Sequence, residues 1–283
     1  MKPEVMVQDL SYRYDDGEEK ALDGVSFEVY PGEFLGVVGP NKAGKSTLCQ
    51  ALVGLVPHFF HGNMDGRVVA GGIDTRETTV DELSKTVGLV FQNPFTQVTG
   101  AKLTVYEEIA FGLENIGLPR DEITRRVDEM IALFGLEHVR HHNPFELSGG
   151  QMQRMAIASI MALRPRIVAL DEPTSQLDPQ GSAEVFQAVA ALRNQGLTVI
   201  MAEQKVEKIA RYADRVLLMH KGKVAACDRP EVVFSRDNLL DLGIRPPAYT
   251  SVARELDLRR PDGTLPVTLD DAVALLRNSS VNS

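Results

Sequence analysis

Cysteine is nearly absent from this chain: Cys49 and Cys227 are the only two in 283 residues. Two isolated thiols make neither a disulfide framework nor a cysteine metal site, and such usage suits a reducing cytoplasm. Both read as small buried hydrophobes. No long basic run occurs and the formal net charge is −9. A nucleic-acid surface should be basic overall or on one face, so no nucleic-acid partner is expected. No apolar stretch approaches the ~20 residues of a bilayer span. The start, Met-Lys-Pro-Glu-Val, lacks the apolar core of a secretion signal. No internal repeat of the motifs below is visible. The expectation is a soluble chain that reaches a membrane only through partners. Hydrophobic residues make up 43%, enough for a sizeable core. The length fits one large domain with an appendage, or two modest domains.

What is present centres on residues 34–49. Phe34 to Val38 is a short apolar run of strand type, and Leu48 to Leu55 reads as a helix. Between them, Gly39-Pro40-Asn41-Lys42-Ala43-Gly44-Lys45-Ser46-Thr47 fits G-x-x-x-x-G-K-[ST], a phosphate-binding loop. Backbone N–H groups of a glycine-rich turn converge on one concavity, and the following helix N-terminus adds unpaired donors. Lys45 would reach the β- and γ-phosphates and the Ser46 hydroxyl would ligate Mg²⁺. A chance turn would need two glycines, a lysine and a hydroxyl at fixed offsets behind an apolar strand.

Residues 4–14 and 24–30 carry strand-like segments around a polar turn at Asp15 to Lys20. Residues 66–74 read as a strand and turn, and 87–91 as a buried strand. Residues 93–154 form a mostly helical insert. Val105, Ile109 and Leu113 share one face, and Val127, Met130, Ile131 and Phe134 share another after the break at Gly117-Leu118-Pro119. The apolar runs Ile167–Leu170, Thr198–Ala202 and Arg215–Met219 alternate with helical stretches at 180–194 and 205–212. That alternation implies a parallel sheet covered on both faces. A hairpin turn at His220–Lys223 leads to a last strand at 223–226, and the core is expected to end near Asp228. Residues 229–283 change character: a break at Arg245-Pro246-Pro247, a helix near 250–257, a turn at Pro261-Asp262-Gly263, and a final helix Ala272 to Arg277 headed by Thr268-Leu269-Asp270-Asp271. This is a small appendage, with Asn278 to Ser283 expected to fray.

Two further motifs carry chemistry. Ile167-Val168-Ala169-Leu170 runs into Asp171 and Glu172. Behind a phosphate-binding loop, Asp171 would hold Mg²⁺ and Glu172 would polarise the water that attacks the γ-phosphate. Solvated acids at a strand end are the alternative. Leu147-Ser148-Gly149-Gly150-Gln151 precedes a helix from Met152 to about Leu163, a second anion site by its glycines and hydroxyl.

Taken together, Gly39–Thr47, Gln92, Leu147–Gln151, Ile167–Glu172 and Ser175-Gln176-Leu177-Asp178 resemble the ATP-binding cassette (ABC) ATPases. The resemblance covers residues 1 to about 228 in the right order, and Leu-Ser-Gly-Gly-Gln separates this family from other P-loop enzymes. It implies an α/β P-loop NTPase with an antiparallel β-subdomain, a helical subdomain at 93–154 and the small appendage at 229–283, a possible dimerisation element. It also implies that two cassettes, alike or related, pack head to tail and sandwich ATP and Mg²⁺. Ser148, Gly149, Gly150 and Gln151 would act on the partner's nucleotide, and Asp178 would lie at the seam. Tyr14, with Tyr12 as competitor, would stack on adenine. Gln92 would meet both Mg²⁺ and a membrane partner.

A narrower set is similar to the energy-coupling factor (ECF) type importers: Phe91-Gln92-Asn93-Pro94, Thr104-Val105-Tyr106-Glu107-Glu108-Ile109-Ala110-Phe111-Gly112, Glu114-Asn115 and Gly117-Leu118-Pro119. In that group two ATPases drive a transmembrane coupling protein and a separate membrane substrate-binding subunit, importing vitamins or transition-metal ions. The resemblance places this chain peripherally on the cytoplasmic face of the cell membrane. Phe95, Val98 and Leu103 are candidate exposed contacts for coupling helices, with packing inside the helical insert as the alternative. Other readings are a cassette of a different transporter type, or a soluble cassette ATPase acting on nucleic acid or ribosomes.

Two positions depart from the family. Where it usually has Thr-His-Asp, this chain has Glu203-Gln204-Lys205. Gln204 can hydrogen-bond to a γ-phosphate oxygen but cannot share a proton as imidazole can, so turnover is expected to be slower with binding intact. Lys42 stands where many cassettes have glycine, and it strains the turn if its φ is positive. It is expected to point to solvent, with added positive charge near the phosphates as the alternative.

Overall fold

The computed structural model describes residues 1–281, with side chains through Asn278. Ten strands occur among them: β1 (Val5–Tyr14), β2 (Leu22–Val29), β3 (Phe34–Val38), β4 (Gly62–Ala70), β5 (Ile73–Asp74), β6 (Val87–Val90), β7 (Ile167–Asp171), β8 (Thr198–Ala202), β9 (Arg215–His220) and β10 (Lys223–Asp228). An antiparallel sheet has the order β2-β1-β4-β5, and a second sheet the order β10-β9-β3-β8-β7-β6. In the second sheet β3, β6, β7, β8 and β9 run parallel, and only β10 turns back.

The parallel strands read as unbroken apolar runs because both of their faces are covered. On β3, Phe34 and Val38 join one core while Leu35 and Val37 join the other. On β7, Val168 and Leu170 face the first core, and Ile167 and Ala169 the second. This is the two-residue period of a strand. The first core lies against the helical elements; the second includes side chains of the antiparallel sheet. Each fully buried Val, Leu or Phe contributes about 1.5–3 kcal/mol.

The helices in chain order are α1 (Lys45–Leu52), α2 (Leu55–His58), α3 (Val80–Ser84), α4 (Val105–Asn115), α5 (Arg120–Leu133), α6 (Gly149–Ala162), α7 (Pro179–Arg193), α8 (Val206–Tyr212), α9 (Pro230–Phe234), α10 (Ala248–Glu255) and α11 (Leu269–Val281). Several boundaries differ from the sequence reading. β4 begins at Gly62 because pairing with β1 (Tyr12 opposite Met64, Tyr14 opposite Gly62) draws in residues of low strand preference. α6 starts at Gly149 because Ser148 caps it, overriding two poor helix formers. α3, capped by Thr79, was not expected. Cys227 is only partly buried and accepts a hydrogen bond from Arg215 at 2.9 Å, so it is not a plain hydrophobe. The backbone of α11 runs from Leu269 to Val281, past the expected helix end at Arg277, and residues 282–283 of the end expected to fray lie outside the described residues.

The appendage shares the main core: Val233, Phe234, Leu239, Ile244 and Val267 belong to the same apolar cluster as Phe34 and Val38. Arg260 pairs with Glu231 and Asp271, both at 2.9 Å, tying α11 to α9. Gly243 lies against the Pro40 ring of the phosphate-binding loop.

Candidate functional site

Parallel strands deliver their carboxyl ends to one edge of a sheet, where ligands of open α/β folds bind. The register keeps those ends level: Val37 pairs with Ala202, Asp171 with Ala202, and Val90 with Leu170. The loops leaving β3, β6, β7 and β8 therefore bring Gly39–Thr47, Gln92, Asp171-Glu172 and Glu203-Gln204 together. They meet at a cleft of about 560 Å³ lined by Asn41 to Thr47, Gln92, Glu172, Gln204 and, from the loop after β1, Glu19, Lys20 and Ala21.

The cradle needs its glycine at position 44. Gly44 has φ 100° and caps α1, and a Cβ there would sit 2.5 Å from the Ala21 carbonyl oxygen. Lys42 has φ 64° and an exposed side chain, so a non-glycine residue occupies a left-handed turn position. The first turn of α1 has N–H groups without i−4 partners, which is what an anion requires. Lys45 is buried, and its ammonium donates to the carbonyls of Gly39 (3.0 Å) and Pro40 (3.3 Å).

Glu172 is the hub. It is buried, with φ 47°, and its N–H donates to the Ala202 carbonyl at 2.9 Å. Lys45 pairs with its Oε1 at 3.3 Å. The Gln92 amide donates to Oε2 at 2.9 Å, and the Gln204 amide reaches both oxygens at 3.0 Å. Gln204 also donates to Asn41 Oδ1 at 3.0 Å, joining this group to the phosphate-binding loop. Asp171 lies beside it. Burial pushes its carboxyl above the usual range, against a hydrogen bond from Ser46. Its Oδ1 is buried with no hydrogen-bond partner among the described residues. An orphaned carboxylate oxygen next to a serine hydroxyl fits a hard divalent cation such as Mg²⁺.

Tyr12 is fully buried and its hydroxyl donates to the Phe60 carbonyl, so its faces are closed to a base. Tyr14 is half-buried: its hydroxyl donates to Gln50 and lies 3.0 Å from the Thr47 hydroxyl. Tyr14 does not itself line the cleft. Glu19, Lys20 and Ala21 do; the first two read in sequence only as part of a polar turn, and Ala21 carried no signal.

The serine-led motif stands apart. Ser148 Oγ accepts from the Gln151 N–H at 3.3 Å, and the Gln151 side chain accepts from the Ser148 N–H at 2.9 Å. This reciprocal cap leaves the Ser148 hydroxyl proton free to donate. Asp178 caps α7 by accepting from the Gly181 N–H at 2.6 Å. Ser148, Gly149, Gly150, Gln151 and Asp178 do not line the cleft of their own chain. Beyond Gln92, Phe95 and Leu103 are exposed. Val98 follows the alternative reading and packs partly against the core. Phe145, not foreseen, is exposed with its ring 3.5 Å from the Cβ position of Gly100.

A strand, a glycine cradle with a buried lysine, and paired acids at the end of a parallel strand two places along the same sheet define a P-loop nucleoside triphosphatase. Residues 22–175 match the family described as ABC transporter. The chain is 38% identical to the energy-coupling factor transporter ATP-binding protein EcfA2 of Symbiobacterium thermophilum, over 96% of this chain and 95% of that one. Among solved structures it is similar to cbiO1 from Clostridium perfringens, part of the ABC transporter complex cbiONQ: TM-score 0.74, 31% identity, 93% of this chain and 97% of that one. It is also similar to a dimeric ATP-binding cassette bound to ADP and Pi: TM-score 0.71, 29% identity, 80% of this chain and 98% of that one. The chain belongs to the ABC transporter family. It is an ATPase subunit that couples ATP hydrolysis to transport. No described helix is long and apolar enough to cross a membrane.

Proposed function

We propose that this chain is the ATPase subunit of an ECF-type importer and that it clamps each ATP against a second cassette. The observation that carries the catalytic part is the convergence of Lys45, Gln92 and Gln204 on the Glu172 carboxylate. The N–H groups from Gly39 to Thr47 cradle the phosphates, and Tyr14, beside Thr47, stacks on adenine. Ser46, Asp171 and Gln92 would hold Mg²⁺, which would supply charge neutralisation for the phosphate oxygens. Phosphate arrival draws Lys45 off Glu172. The freed carboxylate then accepts a hydrogen bond from the attacking water and orients it. Gln204 donates to a γ-phosphate oxygen. Ser148, Gly149, Gly150 and Gln151 supply the opposite wall to the partner's nucleotide, and Asp178 sits at the seam. Residues 1–228 are the motor, with 93–154 as its helical subdomain; 229–283 are an appendage that supports pairing.

The importer assignment is supported by likeness to EcfA2 and cbiO1. It is also supported by the exposed Phe95, Leu103 and Phe145, where helices of a transmembrane coupling protein would seat. That contact would hold the chain peripherally at the cytoplasmic face of the membrane. Isolation of the tagged chain from solubilised membranes tests this. Recovery of a coupling protein together with a separate small substrate-binding membrane protein is expected. Recovery of a permease with no separate substrate-binding membrane subunit overturns the ECF assignment.

A further inference from the structure

The loop after β8 carries a pair of opposite charges, Glu203 and Lys205, on either side of Gln204. Glu203 is 2% exposed, a costly place for a carboxylate unless donors surround it. They do. Its Oε1 accepts from the Thr174 N–H at 3.1 Å and from the Thr174 hydroxyl at 2.5 Å. Its Oε2 accepts from the backbone N–H groups of Gln204 at 3.0 Å and Lys205 at 3.4 Å. The Lys205 ammonium returns to the other side of the same residue, donating to the Thr174 carbonyl at 2.9 Å and to Ser182 Oγ at 3.3 Å. Thr174 itself is fully buried, two residues after Glu172. One oxygen of Glu203 thus holds the loop that carries Glu172, and the other holds the loop that carries Gln204. The Glu203 N–H is anchored to the Val37 carbonyl of the P-loop strand at 3.0 Å.

We propose that Glu203 and Lys205 are positioning residues: they lock the Glu172 loop and the Gln204 loop into one rigid unit set by the P-loop strand. The inference rests on the roles read for Glu172 and Gln204 above. Every group facing Glu203 in this network is a donor, so only a carboxylate can satisfy both loops at once. Glu203→Gln turns one acceptor into a donor and must release one loop.

The test uses the full chain with whatever subunits co-purify, measuring kcat and nucleotide Kd separately. Because a displacement near 1 Å costs up to about a hundredfold, Glu203→Gln should lower kcat about tenfold or more. Nucleotide Kd should stay within about twofold, since the cradle is untouched. Lys205→Gln should show the same split at smaller size. Thr174→Val removes a single donor, tolerates failure of the Glu203 variant to fold, and should lower kcat about threefold. In a Glu172→Gln background the Glu203 change should add less than about twofold, the non-additivity of residues acting through one another. Wild-type kcat in Glu203→Gln or Thr174→Val overturns the clamp, and so does a loss of kcat and nucleotide affinity in proportion. Persistent hydrolysis in Glu172→Gln alone instead overturns the reading of Glu172, and the clamp acting through it.

Discussion

At the carboxyl ends of β3, β6, β7 and β8, side chains from separate loops bond to one another: Lys45, Gln92 and Gln204 all end on Glu172, and Asn41 joins through Gln204. At the start of α6, Ser148 and Gln151 bond to each other, and among the described residues His138 alone reaches Gln151 from another element, at 3.2 Å. The first region is a network assembled across the sheet. The second is a self-contained helix cap, complete before any ligand arrives. A network of that kind can be redistributed when phosphate enters, whereas a finished cap presents a fixed surface. The difference fits one region that changes and another that reads the change in a second subunit.

The contrast between the two regions is most exposed to failure at Glu172. Glu172→Gln should lower hydrolysis about a thousandfold, within the range for a positioned base. Nucleotide binding should survive, and gel filtration with Mg·ATP should show an accumulated dimer. Next, Lys45→Ala should abolish nucleotide binding, while Ser148→Ala should leave monomer binding intact and stop hydrolysis. If the chain pairs with itself, mixing those two variants should restore about a quarter of wild-type activity. Half the dimers are then mixed, and each has one of two sites intact. No rescue assigns the second half-site to a different cassette. Gln204→His should raise kcat about threefold to tenfold by adding a group that can share a proton, at unchanged Kd. An equal or lower rate would remove the slow-turnover idea.

Asp171 gives a pH signature. Its folded pKa lies above the unfolded value because burial disfavours the charged form. No penalty exists in acid below both values. Stability is lost as pH rises through the unfolded and then the folded pKa. Without Mg²⁺, Asp171→Asn should therefore melt higher than wild type at neutrality and equally in acid. With Mg²⁺ the order should reverse at neutrality, and thermal scans read both. The smallest effect belongs to Lys42→Gly. Relief of φ 64°, set against the extra freedom of glycine in the unfolded chain, nets about 0.5–1 kcal/mol of stability, read by urea titration.

The motif residues were legible one by one because each needs a fixed local spacing: Gly39 to Ser46 on a turn, Ser148 to Gln151 on a cap, Asp171-Glu172 at a strand end. Glu19 to Ala21 were not, since a polar turn beside β1 carries no mark of the cleft it will border. Glu203 and Lys205 were visible only as a departure, because their partner Thr174 lies 29 residues from Glu203 in the chain. Tyr14 was chosen over Tyr12 on sequence resemblance; the full burial of Tyr12 is a tertiary fact that the sequence did not carry. The appendage looked detached at Arg245-Pro246-Pro247, yet its apolar side chains complete the main core.

Local order in the chain thus marked the candidate phosphate-binding groups, since backbone turns, caps and strand periods act over a few residues. Which of those groups share a cleft follows from the packing of the whole chain. Hydrogen bonds and ion pairs reach about 3 Å, and strand register and sheet order alone bring residues from four loops within that distance.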